Sequence, residues 1–266
     1  MKNQPLKITI ITVCYNSAAT IRETIESVLS QDYTNIEYVV IDGGSTDGTL
    51  DIINSYSDKI SIIISEPDQG MYDAMNKGVL NSKGDVIGIL NSDDIFYSNA
   101  TISKIATCFL SNNIIDAVFT GVGFSKSSEM TDSPQRLILS KNFKSWMLRL
   151  GWMPPHPGMF LKRQVYKMAG GYKLTFKIAA DYEFMVRIIL KNKISYLATD
   201  FITVIMRIGG ISTRGLKSTH VISKEIVRSC LENNISTNYF LVSMRLPIKY
   251  VYEVIFGKYI LNKCSD

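Results

Sequence analysis

Residues 85–94 read DVIGILNSDD, and the way this run ends decides the fold. Val86, Ile87, Ile89 and Leu90 make a short apolar stretch suited to a strand covered on both faces. It stops at Asn91, Ser92, Asp93 and Asp94. An apolar strand ending in adjacent carboxylates puts charge at the carboxyl edge of a sheet, where open α/β folds bind their ligands. Neighbouring carboxylates repel each other, so the pair favours a bound cation or a hydrogen-bond network. Oxygen ligands suit magnesium or manganese. The plain alternative is an acidic turn capping a helix that begins near Ser98 or Asn99.

The residues before this run repeat its pattern. Lys7 to Tyr15 is a β-branched strand ending at Asn16 and Ser17, and Ala18 to Gln31 carries Ile21, Ile25, Val28 and Leu29 at helical spacing. Ile36 to Ile41 is a second strand, Thr49 to Tyr56 a helix, Ile60 to Ser65 a third strand and Met71 to Asn81 a third helix. Strands separated by helices imply a parallel sheet with helices on both faces. The polar clusters fall at the strand ends: Cys14-Tyr15-Asn16, Asp42-Gly43-Gly44-Ser45, Glu66 to Gly70, and Asn91 to Asp94. No GxGxxG and no GxxxxGK[ST] occurs, so neither a dinucleotide fold nor a P-loop is supported.

Composition excludes several classes. The 266 residues are 46% hydrophobic and 20% charged, as in a globular enzyme and unlike a disordered chain. The net charge of +5 is modest, with acids gathered in the first hundred positions and a basic last fifty. Nothing points to a nucleic-acid partner. Cys14, Cys108, Cys230 and Cys264 lie far apart with no CxxC, which reads as free thiols in a reducing cytoplasm. MKNQPLK does not open like a secretory signal, and no run reaches the roughly 18 to 20 apolar residues of a membrane span. A cytoplasmic location is expected.

Residues 6–96 carry a resemblance. ITIITVCYNSAATIRETIESVLSQDYTNIEYVVIDGGSTDGT followed by SEPDQGMYDAMNKGVLNSKGDVIGILNSDD resembles the inverting nucleotide-sugar glycosyltransferases of family 2, in the branch that builds bacterial surface polysaccharides. The match extends more weakly over 150–210 and is absent beyond about 220. It implies a GT-A fold: a Rossmann-like, mostly parallel central sheet flanked by helices, with a C-terminal helical extension. It divides the chain into a nucleotide-sugar-binding half (1–110), an acceptor-binding and catalytic-base half of the same domain (111–216), and a C-terminal helical segment (217–266).

The resemblance also implies site residues. Thr12, Cys14, Tyr15 and Asn16 stand in the loop that cradles uracil and ribose, and Glu23 where relatives have a donor-contacting glutamate. Asp42 stands where the family binds the uracil imide; a turn-forming role with Ser45 and Thr46 is the alternative. Gly70, Asp73 and Asn76 flank the nucleotide, with Met75 replacing a common arginine. The metal motif Asp-any-Asp becomes Asn91-Ser92-Asp93, so that Asp93 holds a manganese or magnesium ion, Asn91 reaches a ribose hydroxyl with Ser92 among the donor-binding residues, and Asp94 stands with His156 and Arg207 as an acceptor or diphosphate contact. The catalytic base falls at Asp181 in AADYE, with Glu183 the nearby acid that a helix dipole would favour equally. His156, in the turn WMPPHPG, either borders the active site or is structural. Arg207 either reaches the diphosphate or is a surface residue, and so does Arg214 in the glycine-rich loop that follows.

Between these motifs the chain predicts a strand at Ala117–Val122, a loop or hairpin over 125–140, a strand at Met159–Lys162, one or two strands over 195–207 and a helix from Ser218 to Asn233. Tyr239 to Lys263 mixes aromatic and basic residues around Pro247; it either packs on the core or lies in a membrane interface. The branch implies a polyprenyl-diphosphate-linked saccharide acceptor and peripheral contact with the inner membrane. Two other functions fit parts of the pattern. A metal-dependent nucleotidyltransferase needs a basic triphosphate loop that CYNSAAT lacks, and a silent sugar-nucleotide-binding protein has no need of both Asp93 and Asp181.

Overall fold

The computed structural model describes residues 5–125, 134–208 and 215–247. Residues 126–133 of the expected hairpin, the glycine-rich stretch 209–213 with Arg214, and the C-terminal part from 248 lie outside the described residues.

The first half alternates as its periodicity requires: β1 (Ile8–Cys14), α1 (Ile21–Leu29), β2 (Ile36–Asp42), α2 (Thr49–Asn54), β3 (Ile62–Ser65), α3 (Met71–Asn81) and β4 (Val86–Asn91). These four strands are parallel in the order β3-β2-β1-β4. Every residue of β1 is buried. Ile8 and Ile10 face a layer containing Ile21 and Ile25 of α1, whereas Ile11 and Val13 face a layer containing Tyr72 and Met75 of α3. Each fully buried isoleucine contributes about 1.5–3 kcal/mol, which explains why apolar runs rather than alternating ones mark these strands.

The second half completes the same sheet: β5 (Ile95–Phe96), α4 (Thr101–Ser111), β6 (Ala117–Ser125), β7 (Arg136–Ile138), β8 (Met159–Lys162), α5 (Arg163–Ala169), α6 (Ala180–Met185) and β9 (Tyr196–Arg207). The acidic tip does not cap α4, which starts behind Ala100 with no side-chain cap. β8 runs antiparallel between β4 and β6, and β7 pairs with β6 as the expected hairpin. Gly88 lies opposite Phe160, and a Cβ there would stand 2.6 Å from the Phe160 ring, so the bare backbone of β4 lets that ring cover it.

The C-terminal helices α7 (Gly215–Glu232) and α8 (Tyr239–Ser243) are partly core elements. Ile226, Cys230 and Val242 belong to the same buried cluster as Phe184 and Met185 of α6. Tyr239, Phe240, Leu241 and Met244 of the same region are exposed. No helix among the described residues is long and apolar enough to cross a membrane.

Candidate active site

Strand register brings the polar tips together. Cys14 lies beside Asp42, Val13 beside Asn91, and Asp42 beside Ser65, so four loops leave one edge of the sheet at one level. They are stitched to each other. Asn16, with a left-handed φ of 48°, accepts from the Thr46 N–H and donates its own N–H to Ser45. The Ser17 hydroxyl meets that of Ser92 at 2.8 Å.

Asp42 is fully buried and draws on many donors. One oxygen accepts from the Ser65 hydroxyl at 2.7 Å and from the Gly44 and Ser45 N–H groups; the other accepts from the Ser45 hydroxyl at 2.5 Å. Burial alone would raise its pKa, but these donors hold it below the usual carboxylate range. The turn-forming role is thus present in the structure, and a uracil imide would share an acceptor already in use. Two cradle residues need correction. Thr12 is fully buried, its hydroxyl bonded by Tyr38, and Cys14 is sealed against Ile41 and Asp42, because alternation along β1 aims both at the α1 layer. Tyr15 and Asn16 are the exposed members of that loop.

At the β4 tip the adjacent acids differ. Asp94 is buried and accepts from the Asn91 amide at 3.0 Å. Burial first, then the Asp93 charge, push its pKa well above the carboxylate range; the Asn91 bond, the Arg207 N–H and the Arg207 charge oppose this only in part. Asp93 is partly exposed and accepts no hydrogen bond from the described residues. The described residues contain no group of three or more candidate metal ligands. One open carboxylate beside a buried, hydrogen-bonded one fits a divalent ion that takes its other ligands from water and a diphosphate, and does not fit an all-protein cage. Glu23 and Arg207, both expected to face the donor, form an ion pair with each other at 2.5 Å. The pair ties α1 to the end of β9.

The third contributor is α3. Gly70, at φ 109°, precedes its first turn, and Asp73 accepts from the Gln69 N–H. Asn76 proves to be a bridge rather than an open nucleotide contact: its amide donates to the Tyr172 carbonyl and accepts from the Tyr172 N–H, at 2.8 and 2.7 Å. A Cβ on Gly171 would meet that amide at 2.2 Å, which explains the Gly-Gly-Tyr sequence. Tyr72, in the first turn of α3, donates to the Ile178 carbonyl and lies 3.3 Å from the Asp181 carboxylate. This contact places Asp181 at the same sheet edge as Asp42 and Asp93, since α3 begins where β3 ends.

Asp181 is partly exposed, and burial pushes its pKa up to about 6. The Tyr182 N–H and the Tyr72 hydroxyl pull it down, while the charge of Glu225 adds to the rise. Tyr172 stacks on Tyr72, and its hydroxyl bonds the His156 ring at 2.9 Å. Burial lowers the pKa of His156 to about 4, so at neutral pH it is a neutral hydrogen-bonding group. Glu183, two residues past Asp181, is fully buried and committed to Arg187, Lys173 and Asn233. Of the two acids Asp181 alone has spare capacity. Sequence reasoning missed Tyr72 and Glu225. An acid at position 225, on the face of α7 that buries Ile226, Ser229 and Cys230, was the available signal.

Comparison with known proteins identifies the fold and the family. S. aureus TarS in complex with UDP-GlcNAc superposes with a TM-score of 0.67 at 19% identity, over 94% of this chain and 75% of that one. A mannosyltransferase from Pyrobaculum calidifontis in complex with GDP-Man and Mn2+ gives 0.62 at 17% identity, over 86% and 64%. The fold is that of the GT-A glycosyltransferases. The profile described as "Glycosyl transferase family 2" matches residues 9–167, and the chain belongs to that family. A PGL/p-HBAD biosynthesis glycosyltransferase of Mycobacterium tuberculosis is 30% identical over 184 residues, 67% of this chain and 68% of its own length. An uncharacterized glycosyltransferase of Haemophilus influenzae is 38% identical over 116 residues, 42% of this chain and 46% of its own.

Proposed function

We propose that this glycosyltransferase moves a sugar from a UDP-sugar to a lipid-linked saccharide in bacterial polysaccharide biosynthesis, inverting the anomeric carbon. The observation that carries the reading is Asp181: a partly exposed carboxylate with a pKa of about 6, at the sheet edge that also holds Asp93. Such a group is largely ionised at neutral pH yet basic enough to take a proton from an attacking hydroxyl. A single displacement driven by one base gives inversion. Relatives solved with UDP-GlcNAc and GDP-Man support a nucleotide-sugar as donor.

Tyr15, Asn16 and the Asp42 loop form the wall for the base and ribose, with Asn91 and Ser92 beside them. Asp93 would hold manganese or magnesium, which supplies charge neutralisation at the leaving diphosphate. His156, neutral at physiological pH, would offer acceptor or diphosphate a hydrogen bond rather than a charge. The exposed Tyr239, Phe240, Leu241, Met244 and Leu246 support contact with the cytoplasmic face of a membrane, where a polyprenyl-diphosphate-linked acceptor resides.

The test is calorimetric titration of the protein with UDP, GDP and TDP, each with manganese and then with chelator. Metal-dependent preference for UDP is the expected result. Preference for GDP redirects the donor, and no binding by any of them overturns the reading.

A further inference from the structure

The C-terminal helix reaches the site through one side chain. Glu225, on α7, is 8% exposed although it is a carboxylate. It accepts three backbone hydrogen bonds from consecutive residues of another segment: the Lys177 N–H at 2.7 Å on one oxygen, and the Ile178 and Ala179 N–H groups at 3.0 and 2.9 Å on the other. These residues form the approach to α6, whose first turn carries Asp181. No side chain of that approach caps α6. The three N–H groups of this approach are held by an acid 46 to 48 residues later in the chain, in a helix the family profile does not reach.

The same loop is pinned from its other side. Tyr72 donates to the Ile178 carbonyl, so residue 178 is held at its N–H by Glu225 and at its C=O by Tyr72. A peptide gripped at both ends by α7 and α3 has little freedom to rotate, and Asp181 follows it by three residues. We propose that Glu225 is a positioning residue for the base: it fixes the 177–179 loop and with it the placing of the Asp181 carboxylate three residues on. This rests on Asp181 being the base.

The groups facing Asp181 from the surrounding elements are Tyr72 of α3, Tyr172 of the loop after α5 and Glu225 of α7, with His156 bonded behind Tyr172. The tyrosines and His156 are neutral at pH 7, so Glu225 is the charged member of this group. Its replacement has a consequence that a purely structural contact lacks. Glu225→Gln retains an acceptor for the Ile178 and Ala179 amides and removes the charge.

The experiment is a carboxyl-carbon NMR titration of the full chain as wild type, Glu225→Gln, Glu225→Ala and Asp181→Asn. It is read with amide exchange at Lys177, Ile178 and Ala179 and with manganese-supported hydrolysis of UDP-N-acetylglucosamine. One carboxyl group titrating near pH 6 is expected in wild type, absent in Asp181→Asn and displaced to lower pH in Glu225→Gln. Glu225→Ala should speed exchange at Ile178 and Ala179 by about tenfold or more and lower turnover about tenfold with KM for the donor unchanged. An unmoved titration in Glu225→Gln with unchanged exchange and turnover in Glu225→Ala overturns the proposal. Turnover retained by Asp181→Asn overturns the assignment of the base instead, so the two failures are distinct.

Discussion

Two carboxylates, Asp42 and Asp181, show how the surroundings of an acid set its protonation. Asp42, at the tip of β2, is the more deeply buried of the two, yet its pKa lies below the usual carboxylate range. Asp181, at the start of α6, is partly exposed, yet its pKa is raised from 3.8 to about 6. The cost of removing charge from water acts on both. Burial is the dominant influence on Asp181, which receives one N–H and a tyrosine hydroxyl already engaged elsewhere, whereas at Asp42 two hydroxyls and two backbone N–H groups outweigh it. Asp42 is satisfied by the protein's own donors. Asp181 is left short.

The sharpest way to break this contrast is Asp181→Asn, which should lower sugar transfer by about 10²–10⁴-fold while making the protein more stable. The folded pKa of Asp181 lies above its unfolded value, so its contribution is fully present below pH 3.8 and is lost as pH rises through about 6. At pH 7 the ionised group therefore costs on the order of 1–3 kcal/mol, and the amide should raise Tm in a thermal melt. Glu183→Ala should do the reverse. Removing the acid that pairs with buried Arg187 costs about 3–5 kcal/mol, visible as a fallen urea midpoint.

Smaller effects sharpen the donor side. Asp42→Asn turns an amide NH2 toward donors that now lack an acceptor, and should lose about 1–3 kcal/mol of stability together with affinity for UDP in calorimetry. His156→Gln tests the weakest part of the contrast. The folded pKa of His156, about 4, lies below its ordinary 6.5, so its stabilisation is present above 6.5 and fades as pH falls toward 4. Asp181 changes stability in the opposite direction over nearly the same window. The wild-type Tm should therefore be flatter between pH 4 and 6.5 than that of either variant, with a difference on the order of 1 kcal/mol at pH 5.

The same asymmetry explains what the sequence disclosed. The parallel half was legible almost to the residue, because strands buried on both faces must be apolar runs and α3 begins and ends at Met71 and Asn81 as its pattern requires. The polar tips were legible for the same reason: a hydrophobic run that stops abruptly advertises its end. Side-chain direction was not. Thr12 and Cys14 end the first strand but face the core, and Glu23 and Arg207 engage each other across 184 positions of chain. Asn76 and Glu225 bind backbone rather than side chains, and backbone partners leave no residue-type signature. The antiparallel insertion of β8 between β4 and β6 was equally silent, since pairing of remote strands is written in no local periodicity.

The central claim is that Asp181 performs the chemistry and does not hold the donor. The most direct measurement compares wild type with Asp181→Asn in two assays on one preparation: calorimetric binding of UDP-N-acetylglucosamine with manganese, and release of UDP over time. Equal affinity is expected, with UDP release in the variant reduced by about 100-fold or more. Equal affinity with undiminished release would contradict the claim.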